Sequence, residues 1–165
     1  MFTKNLPKSV KSVTTRSTPS PQTLARMLVG LICSFFIVIS ANTAMAGVVR
    51  VKIDISSQKM HVTVNGKRKH TWAVSTARRG YRTPLGNFRP TRMHKRYFSK
   101  KYRGSPMPHS IFFYGGYAIH GTTSIKKLGR PASHGCIRLH PKNARQLFAL
   151  VRNNGPKSTK ISIQR

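Results

Sequence analysis

The stretch RPASHGCIRLHP, residues 130–141, sets Cys136 between His134 and His140, with Arg130 and Arg138 close by. A further histidine, His120, ends the apolar run YAIH upstream. Cysteine with histidine supports two kinds of chemistry. The side chains can ligate a metal, or an imidazole can take the thiol's proton and make the sulfur a nucleophile.

The rest of the composition weighs between them. The chain has one acidic side chain, Asp54, and no Glu, which excludes mechanisms that need two carboxylates. The same shortage argues against a hydrolytic metal centre built from His120, His134, Cys136 and His140. Metal-activated water works beside a carboxylate base, and ligating histidines are oriented by carboxylates or carbonyls. No metal site is expected. Thiol chemistry needs less, because a backbone carbonyl can hold the histidine in place of an Asp. His120, at the end of an apolar strand, is the natural base for Cys136. His134, only two residues from the cysteine, is better placed to contribute backbone. Gly135 lets the chain turn tightly, so that the N–H groups of residues 134–136 can point at a developing oxyanion. On the residues alone, Cys136 as an inert buried thiol stays an alternative.

The elements that must position these residues read as mainly β with one or two short helices. VVRVKIDIS alternates Val49, Val51, Ile53 and Ile55 on one face, and KMHVTVNGKRKHTWAVST holds two runs joined at Asn65-Gly66, a hairpin signal. Pro84 and Gly86 mark a bend into a strand around Phe88, and SIFFYGGYAIHG splits into two strands at Gly115-Gly116. Residues 92–109 are expected to form a long loop able to cover a substrate. HPKNARQLFALVRNNG predicts a helix with Pro141 in its first turn, Ala144, Leu147, Phe148 and Val151 facing the core, and Gly155 as its stop. His140 would stand at the start of that helix. TKISIQR closes as a strand.

The first 46 residues read as a targeting segment. A basic region over 1–26 is followed by an apolar run over 27–40, and Ala44 and Ala46 flank Met45 as an A-x-A cleavage site. Residues 47–165 then form one domain, exported to the periplasm or cell envelope; left uncleaved, the apolar segment would act as a membrane anchor. Cys33 lies within the apolar run, so Cys136 is the one cysteine of residues 47–165 and has no thiol partner there.

Residues 47–165 hold 26 of the 31 Lys and Arg against Asp54 alone, a formal charge of +25. Such a field draws a protein to polyanions. Basic residues occur in nearly every segment, and no helix-turn-helix, zinc-finger or RNP-type pattern is present, so nucleic acid is not the expected partner. Anionic envelope polymers are. Arg78, Arg79 and Arg82 are expected on a solvated rim.

IHGTTSIKKLGRPASHGCIRL resembles the active-site signature of the L,D-transpeptidases, the YkuD-like catalytic domain. It has a His-Gly at His120 and Gly121, a spacer, then Ser133-His134-Gly135-Cys136 and Arg138. Upstream, Thr83, Pro84, Gly86 and Phe88 match that domain's Thr-Pro-x-Gly-x-Phe segment, so the resemblance covers about residues 49–164. It implies a β-sandwich or meander in which Cys136 is the nucleophile, His120 the general base with Gly121 beside it, and Ser133, His134 and Gly135 the shapers of the oxyanion site. Arg138 would support the loop or meet a substrate carboxylate. The implied substrate is the peptidoglycan stem peptide, with no metal or organic cofactor, and the implied thiolate is one that carbapenems acylate. Transfer to water or to an envelope protein, and a non-catalytic cationic wall-binding module, are the other readings this sequence allows.

Overall fold

The computed structural model describes residues 47–165. The targeting segment and Cys33 lie outside the described residues. The strands are β1 (Val49–Asp54), β2 (Lys59–Val64), β3 (Lys67–Ala73), β4 (Gly86–Phe88), β5 (Arg92–His94), β6 (Ser110–Tyr114), β7 (Tyr117–Gly121), β8 (Ile137–Leu139) and β9 (Thr159–Gln164), with helix α1 (Pro141–Asn154) between the last two.

Two mixed sheets result. The first has the order β3-β2-β1-β9-β4 and the second β5-β6-β7-β8. Alternation drives the first, since Val49, Val51 and Ile53 are buried while Arg50 and Lys52 between them are exposed. Asn65 and Gly66 both take positive φ, 51° and 78°, which suits a two-residue hairpin joining β2 to β3. β9 lies parallel to β1, pairing Val51 with Ile161 and Ile53 with Ile163.

One core is shared by both sheets and the helix. Val49, Ile53, Met60 and Ile161 meet Ile111, Ile119, Ile137 and Leu139, and Ala144, Leu147 and Val151 close it from α1. His140 caps the helix, its Nδ1 accepting from the Lys142 N–H at 3.2 Å, and Pro141 occupies the first turn where no N–H is needed. Gly155, at φ 88°, ends it.

Two details differ from the sequence reading. Residues 92–109 are not all loop, because Arg92–His94 pairs with β6, leaving 95–109 as the connection. Three exposed or half-buried residues on an edge strand carry too little alternation to be seen in sequence. Phe148 is only half-buried, sitting at the rim of the core, where its ring meets His109 edge-on at 5.6 Å.

Leu147 has no exposed surface and sits where helix and sheets converge. Leu147→Ala is expected to lower unfolding free energy by about 3 kcal/mol, and exposed Lys142→Ala by no more than about 0.5 kcal/mol, in urea titrations.

Candidate active site

β7 and β8 run parallel and adjacent, with Ile119 opposite Ile137 and His120 opposite Arg138. Alternation then sorts the side chains. Ile119, Ile137 and Leu139 enter the shared core, while His120, Cys136 and Arg138 line a cavity of about 200 Å³ on the other face. Met107, Phe112 and Ala118 form a small apolar floor there, against which Cys136 and Tyr97 pack. A neighbouring cavity of about 310 Å³ also reaches Cys136 and is walled by Arg92, Lys100, Lys101 and Tyr117.

His120 is 6% exposed, and its Nδ1 lies 2.7 Å from the Gly121 carbonyl oxygen. A carbonyl only accepts, so Nδ1 carries the hydrogen and Nε2 keeps a free lone pair. Burial pushes the His120 pKa down to about 4; the Gly121 carbonyl opposes this shift and the Arg138 charge adds to it. Cys136 is half-buried, its Sγ 3.9 Å from the Gly116 carbonyl oxygen. Burial raises the thiol's pKa, against the Ala118 N–H and the Arg138 charge, which lower it. Both shifts favour the neutral forms, a thiol and an imidazole that line one cavity.

The turn that presents Cys136 is closed by Ser133. Its Oγ accepts from the Gly135 N–H at 2.9 Å and donates to the Cys136 carbonyl at 2.7 Å. The Gly135 amide is thus engaged, which removes it from the three N–H groups that the sequence reading offered to an oxyanion. Glycine is required at 135 for two reasons. Its φ is +124°, and a Cβ there would lie 2.5 Å from the Tyr117 ring and 2.7 Å from the Arg82 carbonyl oxygen. Gly121 is a close-approach position too, with Pro108 and Pro141 at 3.1 and 3.2 Å from a Cβ.

Arg138 is half-buried and donates to the Ala132 carbonyl at 3.2 Å, so it braces the loop while lining the cavity. The His134 ring lies between Tyr81 and Tyr102, with centroids at 4.5 and 4.8 Å, which ties the 95–109 loop to the turn that carries Cys136. That role goes beyond the backbone contribution expected of it. Arg78, Arg79 and Arg82 are exposed, and none of them lines either cavity at Cys136. His140, occupied at the helix start, does not line the cavity at Cys136.

Other residues position the turn, and the sequence assigns them no such role. Thr83 donates to the Gly135 carbonyl at 2.9 Å and accepts from the Ala77 N–H at 3.1 Å. Gln58 and Thr76 bond twice, and the Thr76 carbonyl accepts from the N–H groups of Ala132 and Ser133. Ser75 and Arg138 exchange backbone bonds of 3.0 and 2.9 Å. The Thr-Pro-x-Gly-x-Phe segment was the available signal for Thr83; nothing local marks Gln58 or Thr76.

The model of the L,D-transpeptidase catalytic domain family, YkuD, matches residues 49–163. The Bacillus subtilis protein named as an L,D-transpeptidase, YkuD, is 24% identical over 119 residues, covering 70% of this chain and 65% of its own. The fold superposes on an L,D-transpeptidase from Mycobacterium smegmatis with a TM-score of 0.64 at 22% identity, covering 72% of this chain and 59% of that one. An L,D-transpeptidase from Stackebrandtia nassauensis gives 0.62 at 26% identity, covering 71% and 55%. The chain spans less than two thirds of each of these relatives. With the family model reaching from the first strand to the last and the two-sheet arrangement shared with solved members, the chain belongs to the L,D-transpeptidase catalytic domain family.

Proposed function

We propose that the protein is a cysteine acyltransferase acting on peptidoglycan stem peptides. The reading rests on one observation above all: His120, held by the Gly121 carbonyl with Nε2 left as acceptor, opens on the same cavity as Cys136. Nε2 takes the Sγ proton as sulfur attacks the carbonyl of the third stem residue. Amides of the turn, those of His134 and Cys136, stabilise the tetrahedral oxyanion. Its collapse forms the thioester, and Nε2–H returns the proton to the leaving amine of the terminal D-Ala. An amine on a neighbouring stem, deprotonated by Nε2, attacks the thioester and regenerates the thiol, completing the crosslink. Arg138, beside the cavity, suits a substrate carboxylate as well as the loop it braces.

Residues 1–46 direct export in this reading, which places the reaction in the envelope, and the +25 charge of residues 47–165 holds the protein on anionic wall polymers.

Intact mass after incubation with a carbapenem is expected to show one adduct per molecule in the wild type and none in Cys136→Ala, with D-Ala release from tetrapeptide stems following the same pattern. A wild type with neither adduct nor release sinks the enzyme reading. His120→Gln, which keeps a polar group but no base, is expected to slow acylation by about 10²–10⁴-fold. Because the His120 pKa is depressed to about 4, the imidazole stays neutral as pH falls from 7, and the acylation rate is expected to hold down to about pH 5.5 and drop only as the pH nears 4. A rate already falling at pH 6.5 contradicts the buried neutral base. Binding to purified sacculi is expected to be released by raising salt from about 0.05 to 0.5 M, and salt-insensitive binding removes the charge-docking idea.

A further inference from the structure

Away from Cys136, a cavity of about 240 Å³ is lined by Lys95 just after β5, by His109 just before β6, and by Arg145, Phe148, Ala149 and Arg152 of α1. The four helix residues fall at i, i+3, i+4 and i+7, so they share one face. Three of the six lining side chains are cationic and a fourth is an imidazole. The chain's sole acidic side chain, Asp54, ends β1 and is not among the residues that line this cavity.

His109 carries further marks of a site. It has φ 54°, a left-handed conformation that costs energy in a residue with a Cβ, and its N–H donates to the Lys95 carbonyl at 3.0 Å. Its Nδ1 is buried and makes no hydrogen bond among the described residues. Burial, then the like charges of Lys95 and Arg145, push its pKa down. Strain at His109 and the crowding of three cationic side chains meet at one cavity, and a bound anion relieves the crowding.

We propose that this cavity is an oxyanion-binding site for a phosphate group, separate from the catalytic cavity. Donors reach it from the end of β5, the start of β6 and a helix face. A tetrahedral dianion presents oxygens on all these sides, whereas a carboxylate presents two oxygens in one plane and a single charge. The location adds a consequence. Lys95 and His109 are the two ends of the 95–109 loop, whose Ser99, Tyr102 and Met107 line the cavity at Cys136. A phosphate held by both ends and by Arg145 and Arg152 ties the base of that loop to α1.

The test follows the His109 imidazole resonances of the purified protein during titration with inorganic phosphate, and in parallel with glycerol 1-phosphate. Saturable shifts at His109 are expected, weakened at least about tenfold in Arg145→Gln/Arg152→Gln and less than about twofold in Arg50→Gln/Lys52→Gln, which removes equal charge from the exposed face of β1. Lys95→Gln, a change on the loop side alone, is expected to weaken binding in the same direction, so the outcome does not hang on the helix variant folding. Ester bound as well as the free ion assigns the site to a polymer- or lipid-borne phosphate, and exclusion of the ester assigns it to the free ion. No shift at His109, or equal weakening by the β1 pair, overturns the proposal in favour of a diffuse cationic field.

Discussion

The site depends on the parallel pairing of β7 with β8. That register sets His120 opposite Arg138, and alternation then gives the two strands one face for the core and one for chemistry. Ile119, Ile137 and Leu139 are at most 1% exposed, so the pairing cannot slip by a residue without turning apolar side chains out and His120 in. β8 is only three residues long, and its other edge is held by the Ser75 backbone. Packing on one face therefore locates the reactive groups on the other.

Scarcity of carboxylates shapes what the other face can be. In this chain the orienting acceptor for His120 is a backbone carbonyl, and the turn that carries Cys136 is held by hydroxyls and amides: Ser133, Thr83, and the Gln58–Thr76 pair. Neutral groups tolerate burial better than charged ones. Burial disfavours imidazolium and thiolate alike, and the Arg138 charge disfavours the imidazolium further. Arg138 and the Ala118 N–H favour the thiolate but do not outweigh burial, so in the proposed reaction proton transfer accompanies the attack.

Much of this was legible in the sequence because it is local. The alternation of Val49, Val51 and Ile53, the Asn65-Gly66 turn, and the Pro141-to-Gly155 helix each carry their signal within a few residues. The grouping of His120 with Cys136 followed from residue types and from the resemblance to a family signature. What was not legible is long-range. Pairing of β1 with β9 joins residues about a hundred positions apart, and nothing near Gln58 announces that it will fix Thr76 and through it the Ser133 turn. Local sequence leaves the Gly135 amide open to an oxyanion, and only the folded turn brings Ser133 Oγ onto it. The cationic cavity at Lys95, His109 and α1 was invisible for the same reason, since its members come from three elements of a chain in which basic residues are everywhere.

In the proposed mechanism His120 rests neutral, with its hydrogen on Nδ1 and an unprotonated Nε2 available on the cavity it shares with Cys136. Nitrogen-15 chemical shifts of the His120 ring at neutral pH test it directly. A protonated Nδ1 beside an unprotonated Nε2 is the predicted result. An Nε2–H tautomer, or an imidazolium with both nitrogens protonated, would contradict it.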